Sequence, residues 1–387
     1  MENPLLELQE YENLQEALKK AKGPVQATGT LDSQKVHLMY WLGKDGGFPW
    51  KLVVTYDDQR AREIYDDFRS FTENVWLYPA KDLLFYSADI HGNLMTRQRI
   101  AVWRHLMEEK EGVVVTTLDG LMDHLLPLVF LKQQAVTVEN GQIMDLDEWK
   151  ERLTALGYER TAQVDGMGQF SIRGGIVDIF PLTEEVPVRI ELWDDEVDSI
   201  RSFDPESQRS VEQLEKITIY PSAETILTKK QLEAGIERLE KEEKEYEAAL
   251  RAKHQIEEAS RIRGIIKELT EGIRQGWKRD GLDAYIRYFC PETVSFLDYF
   301  PAGDTLICLD EPARLKEKGE TVEQEFRESM IHRLEKGYLL PGQTELLYAG
   351  TQVLAKLQSS YTVMLTGLDQ KLRSEAAGHE GKGKIQF

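Results

Sequence analysis

The sequence predicts an α/β protein in which a parallel sheet carries a smaller α+β unit inserted into it. Three observations lead to this. Strands alternate with helices up to about residue 125, short strands crowd together between residues 128 and 213, and apolar strands return near residues 305 and 362. Alternating strands and helices are typical of a parallel sheet, whereas closely spaced strands favour antiparallel pairing. With 387 residues, the chain is long enough for two or three domains.

The first part of the chain supplies the start of the parallel sheet. An amphipathic helix is predicted over Leu5–Lys20, then a strand over Val25–Thr28 and a helix from Ser33. The apolar run Lys51–Tyr56 is typical of a strand buried on both faces. Asp57 is a suitable N-cap for the next helix. The elements expected after it are a strand at Val75–Tyr78, a helix at Thr96–Glu109 and a strand at Gly112–Thr117.

The rest of the chain predicts the inserted unit and the return to the first domain. A helix over Leu146–Leu156 precedes the short strands, and the charged segment 229–276 has the spacing of a helical hairpin or a long bent helix. The later elements expected are a strand at Thr305–Asp310, a helix at Val322–Lys336 and a strand at Thr362–Thr366. We therefore predict a division into 1–127, an insertion at 128–213, a return at 214–370 and a polar tail at 371–387.

One surface motif stands out within Gln169–Asp204. In Val188–Trp193 the residues alternate in type, and successive side chains of a strand point to opposite faces. The pattern places three apolar residues on the core face and Arg189, Glu191 and Trp193 on the solvent face. Arginine and tryptophan are enriched at binding hot spots. A half-buried tryptophan at a sheet edge, covered by an arginine, is the structural alternative, and alternation alone leaves both open.

The first strand–helix turn is where a nucleotide-binding protein would carry its phosphate loop. Aligned on Gly29, the Walker A pattern requires a second glycine, a lysine and a hydroxyl residue. This chain has Leu31, Asp32 and Ser33 in those places. Asp32 puts a negative charge where phosphate needs a positive one, and Lys35 comes too late in the loop. We expect nucleotide-loop geometry without ATP binding, and a helix capped by Asp32 or Ser33.

Asp310 and Glu311 follow an apolar strand, as a Walker B pair would. Such carboxylates hold Mg²⁺ beside a nucleotide, so without a phosphate-binding lysine the pair has no ligand to act on. A turn-forming or helix-capping Asp-Glu-Pro is therefore the favoured interpretation. The seven histidines show no HxxxH spacing and the two cysteines no CxxC spacing, so no metal site is predicted.

The composition argues against several classes of protein. A net charge of −20 opposes binding to phosphate backbones, which disfavours DNA binding by the whole chain. No apolar run is long enough to span a membrane, and the N-terminus lacks the features of a signal peptide. Cys290 and Cys308 are too few for a disulfide framework, which predicts a reducing, cytoplasmic setting. The acidic balance suits a protein partner or simple solubility.

Several phrases in this order resemble one family across essentially the whole chain. The family is the N-terminal part of bacterial transcription-repair coupling factors (Mfd), itself similar to the excision-repair protein UvrB. The phrases that carry the resemblance are WLYPAKDLLFYSADIHGNLMTRQRIAVWRHL, TTLDGLMDHLLP, ALGYERTAQVDGMGQFSIRGGIVDIFP, VRIELWDDEVDSIRSFDPESQRS and RLEKGYLLPGQTELL.

The resemblance implies a UvrB-like fold, with a discontinuous, degenerate P-loop domain, an inserted domain 2 and a helical C-terminal portion. It implies that domain 2 docks UvrA. In the family, docking uses the arginine of FSIRGG, which is Arg173 here, and the arginine of VRIELW, which is Arg189. It also uses the acidic and aromatic positions that follow, Glu191 and Trp193, the latter often Phe in relatives. Three of these are the residues that alternation places on the solvent face.

The departures from UvrB favour the coupling-factor family. The phosphate loop lacks its lysine, and no long aromatic β-hairpin is inserted between Leu83 and Ile100. The resemblance thus implies a recruitment module without catalysis or cofactor, whose partners are UvrA and C-terminal regions of a longer parent that hold its motor in check. ATP, RNA polymerase and DNA would be bound by those other regions, so we expect the chain to be a fragment. The alternative is an ATP-dependent, UvrB-like protein that recognises and remodels damaged DNA.

Overall fold

The computed structural model describes residues 3–81, 92–276, 281–358, 361–367 and 384–386. The strands in this part of the chain are, in order, β1 (Val25–Thr28), β2 (Trp50–Thr55), β3 (Val75–Tyr78), β4 (Gly112–Thr117), β5 (Val136–Glu139), β6 (Glu159–Arg160), β7 (Gln169–Arg173), β8 (Ile176–Ile179), β9 (Val188–Trp193), β10 (Glu196–Phe203), β11 (Ser210–Leu214), β12 (Lys216–Ile219), β13 (Thr305–Asp310), β14 (Thr362–Thr366) and β15 (Lys384–Gln386).

The helices of the same residues flank and connect these strands. They are α1 (Gln9–Lys20), α2 (Asp32–Asp45), α3 (Asp58–Phe68), α4 (Gly92–Glu108), α5 (Leu128–Gln134), α6 (Leu146–Ala155), α7 (Lys229–Ala252), α8 (Ile256–Gln275), α9 (Ile286–Phe289), α10 (Pro312–Glu335) and α11 (Gly350–Leu357). None of the described helices is long and apolar enough to cross a membrane.

The main sheet is parallel throughout and confirms the predicted fold class. Its strand order is β15-β1-β14-β13-β2-β4-β3, so strands from before and after the insertion lie side by side. Leu52 and Val54 pack into one apolar cluster, and Val53, between them, packs into another on the opposite face. The interior strand β2 is therefore buried on both faces, as its continuous apolar run predicts.

The inserted unit is a mostly antiparallel sheet in the order β11-β10-β9-β8-β7-β6. Its inner face carries Val177, Ile190 and Ile200, which belong to the same apolar cluster as Trp149 of α6. Strands β5 and β12 form a separate antiparallel pair beside it. Because β12 pairs with β5, the unit extends beyond the predicted boundary at residue 213, which would divide β11. The fourfold division of the chain otherwise stays a prediction.

Buried charges join the inserted unit to the main sheet. The Arg99 guanidinium of α4 binds Asp123, which precedes the insertion, at 2.7 Å, and Glu224, which follows it, at 3.0 Å. Lys81 binds Glu224 at 3.1 Å. Arg99 therefore ties the chain's entry into the insertion to its exit, and Lys81 adds a second contact at the exit.

Several predicted boundaries need correction. Helix α10 begins at Pro312, ten residues before the predicted Val322, because a proline at the first helical position loses no hydrogen bond. For segment 229–276 the first of the two predicted alternatives is confirmed, since α7 and α8 form a helical hairpin. The predicted tail 371–387 is not wholly a linker, because β15 pairs in parallel with β1. The rest of the tail lies outside the described residues, as does the segment between Leu83 and Ile100 up to residue 91.

Candidate functional site

The outer face of the inserted sheet carries the predicted docking residues. Along β9 the side chains of Val188 and Ile190 are buried, whereas Arg189 and Glu191 are half-buried on the other face. Trp193, at the end of the strand, is 81% exposed. The predicted assignment of faces is confirmed. The alternative of a half-buried tryptophan covered by an arginine is wrong, since most of the indole surface faces solvent.

Two arginines of this face converge on one carboxylate. The Asp178 side chain, on β8, accepts a hydrogen bond from an Nη of Arg173 at 2.8 Å. It also accepts from Nε and Nη2 of Arg189, at 2.7 and 2.9 Å. The second pair of bonds is the two-point contact that a guanidinium makes with a carboxylate. These bonds raise the pKa of Arg189, with the hydrogen bond to Asp178 as the largest cause.

Arg189 has two further contacts that fix its orientation. Its Nη2 donates to Oε1 of Gln208 at 2.8 Å, and its guanidinium lies over the ring of Phe203 at 4.5 Å. Gln208 itself sits at a positive φ of 59° in the turn between β10 and β11. Arg189 is thus held by a carboxylate, an amide and an aromatic ring.

The other two predicted docking residues differ in their surroundings. Glu191 accepts from Arg201 and, at 3.2 Å, from Ser199, both on β10. Its charge is therefore balanced within the sheet. Trp193 leads into the turn at Asp194, whose φ is +59°. Register pairs Trp193 with Glu196 across that hairpin, which leaves the indole at the tip of the sheet.

Sequence reasoning missed the residues that support this face. Asp178, Arg201 and Gln208 each bind a predicted docking residue. A signal for Asp178 was present, because alternation places an acidic residue between Val177 and Ile179 on the outer face, where arginines of neighbouring strands can pair with it. The sequence gives no such signal for Gln208, because its contact with Arg189 depends on the backbone conformation of the turn between β10 and β11.

The phosphate-loop region forms the predicted strand, turn and helix, but neither Asp32 nor Ser33 caps the helix. Gly29 ends β1 with a φ of +83°, and Leu31 occupies the N-cap position of α2. The backbone N–H of Leu31 donates to the side chain of Gln34 at 3.2 Å. Asp32 and Ser33 are both exposed. The expectation that one of them caps the helix is wrong, because both already lie within the first turn.

Lys35 occupies the space beside the two Walker B-like carboxylates. It is only 2% exposed, and its Nζ lies 2.7 Å from Oδ1 of Asp310 and 2.6 Å from Oε1 of Glu311. Asp310 also accepts from Thr55 at 3.0 Å and from Arg60 at 3.2 Å. Sequence reasoning dismissed this lysine because of its spacing, yet a helical turn brings it to the end of β13.

The favoured turn interpretation of Asp310 and Glu311 is therefore incomplete. Glu311 does sit at the N-cap position of α10, with a φ of +51°, but its side chain caps no backbone group of that helix. It accepts from Lys35 and from the backbone N–H of Gly367 at 2.8 Å. Both carboxylates are engaged within the protein, which satisfies charges that burial would otherwise make costly.

The two cysteines and the possible metal ligands are the remaining candidate groups. Cys290 and Cys308 are both buried and unpaired. Burial raises the pKa of the Cys308 thiol to about 12, which keeps it protonated and unreactive near neutral pH. Among the described residues, no group of three or more His, Cys, Asp or Glu side chains could hold a metal ion.

Comparison with known proteins gives consistent matches. A family model for the UvrB interaction domain matches residues 136–224. The transcription-repair-coupling factor of Bacillus subtilis is 34% identical over 75% of this chain and 24% of its own length. The factors of Staphylococcus haemolyticus and Staphylococcus aureus are 30% and 31% identical over 79% and 78% of this chain. The chain thus spans about a quarter of the length of these curated relatives, 24% to 26%.

A discontinuous parallel sheet with an inserted UvrB interaction domain defines a UvrB-like module. Within that class, the chain belongs to the transcription-repair-coupling factor family and corresponds to its N-terminal UvrB-like module.

Proposed function

We propose that this module recruits UvrA through the outer face of its inserted sheet and so links a stalled RNA polymerase to nucleotide excision repair. The observation that carries the proposal is an 81% exposed Trp193 at the tip of a face that also presents Arg173 and Arg189. Tryptophan and arginine dominate the energetics of protein interfaces. The match to a UvrB interaction domain over the same strands supports it.

The charge of this face indicates the chemistry of the partner surface. The Glu191–Arg201 pair is balanced, whereas Arg173 and Arg189 share the single carboxylate of Asp178. The arginine group therefore carries a local positive charge on a chain whose net charge is −20. An acidic patch of UvrA would complement it, and attraction between such patches speeds association and weakens as salt rises.

We propose no catalysis by this chain. Asp32 occupies the position of the phosphate-binding lysine, and Lys35 already binds the carboxylates that would hold Mg²⁺. The alternative, an ATP-dependent DNA-remodelling protein, would require those ion pairs to open. Equilibrium titration with ATP at physiological Mg²⁺ decides between the two, because saturable binding would support the alternative.

The first of these relatives is about three times as long as this chain, and the match covers 24% of its length. We propose that RNA polymerase, DNA and ATP are bound by the regions of such longer proteins that this chain does not match. We also propose that such regions pack against this module and restrain the motor of the parent protein. An exposed docking face offers a surface for that contact as well as for UvrA.

Arg189→Ala tests the proposed face directly. Loss of a central arginine anchor is expected to weaken UvrA binding by about 2 kcal/mol, roughly thirtyfold, since arginines of this kind are hot spots. The measurement is a titration of UvrA with the purified chain, with thermal unfolding recorded in parallel.

Arg251→Ala is the matched control, because Arg251 is also ion-paired, to Glu247, but lies on α7. This control variant is expected to bind like the wild type. Unchanged UvrA binding by a folded Arg189→Ala protein would rule out this face.

A further inference from the structure

We infer that Asp178 is the positioning residue of the docking face: it touches no partner, yet it sets the geometry in which both arginines meet UvrA. The inference rests on the proposed function and deepens it. Asp178 is 1% exposed, and the structure places its carboxylate between arginines from the two neighbouring strands. A partner protein therefore reaches Asp178 only through Arg173 and Arg189.

Strand register explains how one carboxylate serves two arginines. Asp178 lies directly opposite Arg189 in the pairing of β8 with β9. On its other side β7 pairs with β8, where Asp178 faces Ser171 and Arg173 lies one diagonal step away. Diagonal neighbours on one face are within reach of a long side chain. Strand β8 thus supplies the carboxylate, and its neighbours β7 and β9 each supply an arginine.

The two arginines depend on Asp178 to different degrees. Arg189 also has Gln208 and the Phe203 ring to hold it. Arg173 is 48% exposed. In the described structure its side chain donates a hydrogen bond to Asp178. An unrestrained arginine loses much rotamer freedom when it binds, so a pre-ordered arginine binds more tightly. Loss of Asp178 should therefore disorder Arg173 more than Arg189.

Asp178→Asn is the central variant, because asparagine keeps the shape but removes the charge and one acceptor oxygen. We expect UvrA binding to weaken about tenfold, the size of a lost charge-assisted hydrogen bond. In the background Arg173→Ala/Arg189→Ala, the same change is expected to have no further effect, since Asp178 then has no arginine to position. Such non-additivity identifies residues that act as a unit.

A structural role alone would give a different pattern. Asp178→Asn would then weaken binding equally in both backgrounds, in step with a fall in thermal stability, and that result overturns the inference. Wild-type binding by Asp178→Asn, while Arg189→Ala remains impaired, also overturns it but leaves the proposed function intact. Failure of the wild-type chain to bind UvrA overturns both.

A second measurement covers the case in which Asp178→Asn does not fold. It uses the wild-type chain, in which the Nε–H of Arg189 donates to Asp178. The exchange of this Nε–H with water is expected to be several-fold slower than that of the exposed Arg62. Equal exchange rates for the two arginines would contradict an arginine that Asp178 holds in place.

Discussion

At the scale of single residues, Lys35 shows why a motif can fail by spacing and still leave its charge in place. Its position in the sequence excludes it from the Walker A pattern, yet its Nζ binds both Asp310 and Glu311. The lysine thus serves as an internal counter-ion where a nucleotide-binding relative would place Mg²⁺. Removal of Lys35 would take the cation from Glu311 and leave Asp310 with Arg60, a loss that is expensive in free energy.

Lys35→Met should lower the free energy of unfolding by about 3 kcal/mol, because Glu311 loses its cation and Asp310 keeps only its weaker ion pair with Arg60. Urea denaturation at pH 7 measures this loss. Lys20→Met is the matched control, since Lys20 pairs with Glu16 on the exposed surface of α1. The control should change stability by less than about 0.5 kcal/mol. Equal effects of the two substitutions would contradict a structural role for Lys35.

At the scale of elements, local patterns predicted most of the fold. The continuous apolar run of β2 and the N-cap Asp57, whose carboxylate accepts from the N–H of Arg60 at 2.7 Å, both follow from neighbouring residues. The edge strand β15 could not be predicted in this way, because its pairing with β1 joins segments that are far apart in the chain. Local alternation gave the face of Trp193, but not the ion pair of Lys35 with Asp310, 275 residues away.

Two helical glycines test how the hairpin of α7 and α8 packs. A Cβ at Gly235 would lie 2.0 Å from Cδ1 of the buried Phe289, whereas one at Gly264 would meet nothing within 4 Å. Gly235→Ala should therefore destabilise the protein by about 2 kcal/mol through overpacking. Gly264→Ala should stabilise it by about 1 kcal/mol through helix propensity. Chemical denaturation of both variants checks the prediction, and the same sign for both would contradict this packing.

At the scale of the whole molecule, the docking face is carried on a unit that is tied to the main sheet at both of its connections. Arg99 is completely buried and binds Asp123 and Glu224, the residues that flank the insertion. Breaking a buried arrangement of this kind is costly. Arg104 of α4 also binds Glu184 of the insertion, at 3.2 Å. These contacts hold the inserted unit against the α/β body, so a partner bound to its outer face is held in a defined position relative to that body.

The proposed docking of UvrA is tested most directly at Trp193. Titration of UvrA with the wild-type chain and with Trp193→Ala should show binding weakened about thirtyfold, as for other exposed aromatic anchors. Tyr338→Ala is the matched control, since Tyr338 is also exposed but follows α10, outside the inserted unit, and it should bind like the wild type. If folded Trp193→Ala binds UvrA as tightly as the wild type does, this face is not the recruitment surface.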